Sequence, residues 1–279
     1  MRQWEQFEID CADYIQTKYG SEYGIKAIAQ GGSDSNLNDI NIFKNDKFMF
    51  NVEAKGKNAQ SGQFVVKYDI DFSKYIYGKK NFSLYNAHVE SILVELNKSK
   101  EYLKNIKKTI KVDIPNNVSA NWIKEYYKSK DVKYFISEFN TEKIIVHIDN
   151  FDQYFDITCN LRPKKSGSAN IARTMVPSLH KALSLYYPDH NIKIENLEFS
   201  ENKRLLLKTN STLFEKNIEK PEFDIGGITY RFQLTKEDDT TYYIRKLSST
   251  ANPTVIFQIA SKISQQPSDL SKFINDLKQ

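Results

Sequence analysis

The stretch "DINIFKNDKFMFNVEAKGK", residues 39–57, constrains the fold more than any other part of the chain. Two runs within it alternate apolar and polar residues, the pattern of strands with unlike faces. Between them "KNDK" supplies Asn and Asp, which tolerate the backbone geometry of a tight turn. The segment therefore reads as a β-hairpin. Ile40 and Ile42 face one side of the first strand, Asp39 and Asn41 the other. On the return strand Phe48, Phe50, Val52 and Ala54 are expected on the core, with Met49, Asn51, Glu53 and Lys55 facing away. Antiparallel pairing around the turn brings Asp39 and Glu53 to the same end of the sheet.

Helical spacing of Trp4, Phe7, Cys11, Tyr14 and Ile15 predicts a helix over residues 3–18, ended by "YGSEYG". "IKAIAQ" reads as a short strand and "GGSDSNLN" as a loop. A long amphipathic helix is expected over 84–108, and another at "NVSANWIKEYYKSK" with Asn117 or Ser119 as its cap. Strands are expected near 133–138 and 143–149 and at "YFDITCNLRP". "MVPSLHKALSLYY" reads as a helix with Pro177 near its start. After residue 190 the chain is strand-rich until a last helix near Ser268. The halves divide near residue 155.

A chain of 279 residues has room for one large core or two smaller ones. At 40% hydrophobic residues it is too apolar to be disordered. Its 17 Tyr and 17 Phe, with few Gly and Pro, suit strands and stacked aromatic contacts. A net charge of +5 permits a polyanionic partner. Cys11 and Cys159 form no CxxC and read as reduced, buried thiols of a cytoplasmic protein. The N-terminus has no apolar signal-peptide core, and no apolar run is long enough to span a membrane. The four histidines lack zinc spacing, and neither a Walker loop nor GxSxG occurs.

Two carboxylates on one polar edge can hold a hard divalent cation such as Mg²⁺ and leave positions for water and a phosphate oxygen. A lysine beside them can orient the attacking water or neutralise charge on the phosphate. Asp39, thirteen intervening residues, then Glu53-Ala54-Lys55 resembles the PD-(D/E)xK nuclease superfamily, and most closely its type II restriction endonucleases. The resemblance covers roughly residues 1–70: a helix, a strand, a Gly-Ser loop, the Asp strand, then the ExK strand. Asn38 stands where the superfamily name has Pro.

The resemblance implies an α/β fold, a restriction-endonuclease-like core of a mixed β-sheet flanked by helices, with a strand-rich C-terminal extension. Residues 1–155 would form the nuclease core and 156–279 a DNA-recognition and dimerisation region. Asp39, Glu53 and Lys55 become the catalytic set, with Asp39 and Glu53 on Mg²⁺ and Mn²⁺ as a substitute. Glu8 falls inside the apolar stripe of the first helix, where a carboxylate needs a partner or a metal. Related nucleases often complete the acidic cluster with such a helical Glu.

DNA contacts are expected from Lys57, Gln60, Ser61 and Gln63, in the loop after the ExK strand. "NLRPKKSGSANIAR" is the best basic segment. Its Gly and Ser permit close backbone approach to phosphate, and Arg162, Lys164, Lys165, Ser166, Ser168 and Arg173 are its candidates. Arg245 and Lys246 form a second. The function expected is Mg²⁺-dependent, site-specific cleavage of double-stranded DNA by a homodimer. The alternatives are a repair or Holliday-junction nuclease of the same core, and a non-catalytic DNA-binding module.

Overall fold

Cys11, Ala12, Ile15 and Tyr19 recur three and four residues apart and bury one side of the first helix, α1 (Gln3–Tyr23). The structure is a computed structural model that describes residues 3–30, 38–78, 84–98, 108–165, 171–186, 194–200, 204–213, 222–225, 227–235, 239–247 and 251–279. After α1 come β1 (Ile25–Ala29), β2 (Ile40–Lys44), β3 (Lys47–Ala54), β4 (Gln60–Asp69), β5 (Lys74–Tyr77), α2 (Val89–Lys98), β6 (Ile110–Val112) and α3 (Asn116–Lys128). Next are β7 (Val132–Phe139), β8 (Glu142–His147), α4 (Phe151–Tyr154), β9 (Phe155–Lys165) and α5 (Val176–Tyr186). The chain ends with β10 (Ile194–Phe199), β11 (Leu205–Thr209), β12 (Glu222–Ile225), β13 (Ile228–Leu234), β14 (Thr241–Lys246), β15 (Ala251–Ser261) and α6 (Pro267–Lys278).

Among the described residues the strands form three five-stranded sheets, ordered β1-β2-β3-β7-β8, β5-β4-β15-β9-β6 and β10-β11-β14-β13-β12. The chain divides into two compact units, Met1–Pro163 with Pro253–Gln279, and Lys164–Asn252. The first unit holds the first two sheets. The last strand and helix, grouped by sequence order with the second half, pack into the first unit because their apolar residues complete its cores. Phe257 and Val255 join one and Phe273 and Leu277 the other.

The expected hairpin is present. Asn45 and Asp46 both take positive φ (50° and 59°), the turn chemistry read from "KNDK". β2 and β3 are antiparallel, with a register shift between Ile42 and Phe43. β3 then pairs parallel with β7, placing Glu53 opposite Phe135 and Ala54 opposite Ile136. The first sheet is buried on both faces. Phe50, Val52, Ala54, Tyr134 and Ile136 pack with α1 and α6, while Phe135, Ile144 and Val146 pack with α2, α3, α4 and the second sheet.

This two-sided cover corrects the expected facing of β3. Phe48 is 49% exposed, whereas Asn51 and Glu53 are buried along with Phe50, Val52 and Ala54. The helix expected over 84–108 is α2, and residues 99–107 lie outside the described residues. Helix α3 starts without a side-chain cap at Pro115. Asn116 instead ties α3 to β9, donating to the Phe155 carbonyl at 3.2 Å and accepting from the Ile157 N–H at 2.8 Å. Both cysteines are free and buried. Among the described residues no helix is long and apolar enough to cross a membrane.

In the second unit α5 covers the third sheet. Leu179 and Leu183 pack with Leu205, Leu207, Tyr230, Phe232 and Ile244.

Candidate active site

Lys55 is the centre of the cluster. Its Nζ lies 2.5 Å from Glu53 Oε1 and 3.3 Å from Asp39 Oδ2. Side-chain exposures of 13% for Lys55, 8% for Glu53 and 16% for Asp39 put the group at the edge of the core. Backbone hydrogen bonds set each member. The Ala54 N–H donates to Asp39 Oδ2 at 2.9 Å, locking the two strands at the carboxylates. The Lys55 N–H donates to the Ile136 carbonyl at 2.9 Å. The Ser137 hydroxyl donates to the Lys55 carbonyl at 2.6 Å and meets Ser261 Oγ at 3.1 Å. The site therefore sits at the carboxyl end of β3, where its parallel neighbour β7 holds it.

The electrostatics follow from burial and crowding. Desolvation pushes the Glu53 carboxyl above its ordinary value against the pull of Lys55, and Asp39 adds to the rise. Burial alone would discharge Lys55, but Glu53, Tyr127 and Asp39 outweigh it and hold the ammonium's pKa well above its usual value. Glu8 joins from α1, where it is buried. Burial, then the Asp39 charge and a hydrogen bond with Asp39, push its carboxyl up to about 8. At neutral pH Glu8 thus carries its proton and donates it toward Asp39. Tyr127 of α3 closes another side, its ring centroid 5.8 Å from Lys55 Nζ. Burial and then Glu53 raise its phenol well above the usual range.

Among the described residues no group of three or more His, Cys, Asp or Glu side chains is gathered closely enough to hold a metal ion unaided. Asp39 and Glu53 both place an oxygen on one cationic position. Asp39 and Glu53 thus set two carboxyl groups against one ammonium. That donor set suits a hard divalent cation that takes its other ligands from water and phosphate.

Asp39, Glu53, Lys55 and Glu8 are thus brought together. The loop residues behave differently. Lys57 and Gln60 are exposed, and Gln60 Nε2 donates to Gln63 Oε1 at 3.1 Å. Ser61 is fully buried, so its hydroxyl cannot reach DNA from this position, and the expected contact is corrected. Arg162 is partly exposed on β9. Lys164 and Lys165 continue that strand, Ser166 and Ser168 lie outside the described residues, and Arg173, Arg245 and Lys246 belong to the second unit. Arg173 is exposed and stacks over Phe199 at 5.4 Å, and Arg245 and Lys246 are partly exposed on β14.

Sequence reading missed Tyr127, Ser137, and the roles of Asn38 and Asn51. Both asparagines donate through Nδ2 to the Lys130 carbonyl, at 3.0 and 3.1 Å. Asn38, in the place the superfamily name gives to Pro, is thus a structural clamp. The aromatic pair Tyr126-Tyr127 was the available signal.

A mixed sheet covered by helices on both faces, with an acidic pair and a lysine at the end of its parallel pair, is a restriction-endonuclease-like fold. HhaI endonuclease, solved in complex with DNA, has the same fold: TM-score 0.77 and 29% sequence identity, with 100% of each chain covered. No protein-family profile matches the chain, and no curated protein is significantly similar to it.

Proposed function

We propose that the chain is an endonuclease that hydrolyses phosphodiester bonds of double-stranded DNA at a specific sequence, with Mg²⁺ as cofactor and Mn²⁺ as a substitute. One observation carries the reading: Asp39, Glu53 and Lys55 converge at the carboxyl end of β3 in a fold shared with an endonuclease solved on DNA. Asp39 and Glu53 would hold the cation, which supplies a more acidic water and offsets charge on the phosphate.

The chain's own groups do the rest. Hydrolysis joins the water oxygen to phosphorus, breaks one phosphorus–oxygen ester bond and leaves a proton on the departing oxygen. Lys55, charged at any working pH, donates hydrogen bonds to the attacking water or to a non-bridging phosphate oxygen. Ser137 and the Ile136 carbonyl hold the Lys55 backbone, so the ammonium need not be reordered as charge develops. Glu8, hydrogen-bonded to Asp39 from α1, steadies that carboxylate. Lys57, Gln60 and Gln63, and in the recognition half Arg162, Lys164, Lys165, Ser166, Ser168, Arg173, Arg245 and Lys246, are the proposed DNA contacts.

Incubation of the full chain with phage DNA and Mg²⁺, followed by sequencing of the ends, tests the reading. Discrete fragments with one shared end sequence are expected, and Glu53→Ala abolishes them. Absence of cutting with both Mg²⁺ and Mn²⁺ removes the catalytic reading. Cutting confined to branched DNA moves the chain to the repair and junction nucleases. Two copies acting together cut both strands of a supercoiled plasmid in one encounter, and accumulation of nicked circles overturns the proposed homodimer.

A further inference from the structure

Tyr127 serves two lysines. Lys55 Nζ lies 5.8 Å from its ring centroid and Lys130 Nζ 6.0 Å. Lys130 is held more closely by Tyr126, 4.6 Å from that ring. Tyr126 in turn stacks on the buried Trp122, with centroids 5.2 Å apart and planes 13° from parallel. The ammonium therefore rests on a platform anchored in the core.

The backbone of Lys130 is fixed just as firmly. Its carbonyl accepts the side-chain amides of both Asn38 and Asn51, and the Asn51 N–H donates to the Asp131 carbonyl at 3.3 Å. Asn38 precedes Asp39, and Asn51 stands two residues before Glu53 on β3. Lys130 is thus clamped to the two strands that carry the carboxylates, although it lies 79 residues along the chain from Asn51. Its charge also reaches Glu53 and favours that carboxylate's ionised form. The side chain is partly exposed.

We propose that Lys130 is a substrate-binding residue of this site, its ammonium meeting a phosphate of the cut strand next to the one served by Lys55. The proposal rests on the endonuclease reading above. The phosphates of one strand follow each other at a rise of about 3.4 Å. A strand passing Lys55 therefore offers further charges within reach of a second cation on the same aromatic platform. Ordering a lysine costs side-chain entropy. The tyrosine rings and the amide clamp meet that cost before DNA arrives, which is what a preorganised phosphate contact needs.

The test measures duplex DNA binding by the full chain, in chelator, from about 50 to 200 mM salt, for wild type, Lys130→Ala, Lys130→Gln and Lys130→Arg. The Ala and Gln variants are expected to lose about one unit from the log–log salt slope. In a separate cleavage assay with Mg²⁺ their KM rises about threefold to tenfold, while kcat at saturating DNA stays within about threefold of wild type. Arg restores the slope, and urea midpoints do not move. An unchanged slope in Lys130→Ala beside normal wild-type binding overturns this proposal alone. So does a loss of stability that Arg fails to rescue, since Lys130 is then a structural residue. Wild type that neither binds nor cuts DNA removes the endonuclease reading, and the role of Lys130 falls with it.

Discussion

Replacing Lys55 by Met keeps the length of the side chain and removes its charge. In wild type the ammonium answers two carboxylates, at 2.5 and 3.3 Å, in a site whose side chains are at most 16% exposed. Breaking a buried ion pair by deleting one partner costs about 3–5 kcal/mol, because the remaining charge is left without compensation. With a urea m-value near 3 kcal/mol per M, that moves the midpoint down by roughly 1–1.7 M in chelator at pH 8. The loss depends on pH. Glu53 already sits above its ordinary 4.5, and removing Lys55 raises it further. An acid whose folded pKa exceeds its unfolded one takes up a proton on folding. The variant is therefore least penalised below pH 4.5, and the penalty grows as pH rises toward the folded value. Adding Mg²⁺ should recover part of the loss, about 1.4 kcal/mol for each tenfold excess over its dissociation constant. Urea melts at pH 5 and pH 8, with and without Mg²⁺, measure all three effects. A Lys55→Met protein that melts at the wild-type midpoint at pH 8 refutes the argument, as does a deficit equal at both pH values.

Glu8→Gln removes the acid whose pKa is pushed up to about 8. In chelator, wild type should lose stability between pH 4.5 and about 8, where the unfolded chain has released a proton that the folded chain retains. The variant should show a smaller decline in Tm across pH 5, 6, 7 and 8. Gly62 has φ +110°, and a Cβ there would stand 2.5 Å from the Trp122 ring. Gly62→Ala should therefore cost about 1–3 kcal/mol and shift the tryptophan fluorescence. Asp269 is buried and accepts hydrogen bonds from the His147 N–H at 2.9 Å, the Asn150 amide at 3.0 Å and the Tyr154 hydroxyl at 3.0 Å. Asp269→Ala leaves those donors unmet and should cost at least about 2–3 kcal/mol by urea melt.

The parts legible in the sequence were those governed by neighbours in the chain. The Asn45-Asp46 turn, the alternation of β2 and β3, and the apolar stripe of α1 with Glu8 inside it are local patterns, and all are present. Asp39, Glu53 and Lys55 could be placed together because one hairpin relates them. What was not legible depends on distant segments. Burial of Asn51 and Glu53 comes from α3 and β7, about eighty residues later, so the outward face of β3 turned out to be inward. Ser61 reads as a loop residue, but β4 starts at Gln60 and carries Ser61 into the interior. Lys130, Tyr127 and Ser137 reach the site through pairings that no local period encodes.

Helix α6 covers the first sheet from far along the sequence. Phe273 meets Tyr19, Phe50 and Tyr134 at ring separations of 5.4, 6.1 and 5.0 Å, and Lys44 Nζ donates to the Leu277 carbonyl across 233 residues of sequence. A nascent chain on the ribosome exposes that aromatic seam until those last turns emerge. The apolar face of β3 and β7 that Phe273 and Leu277 cover thus stays open until those residues have been added.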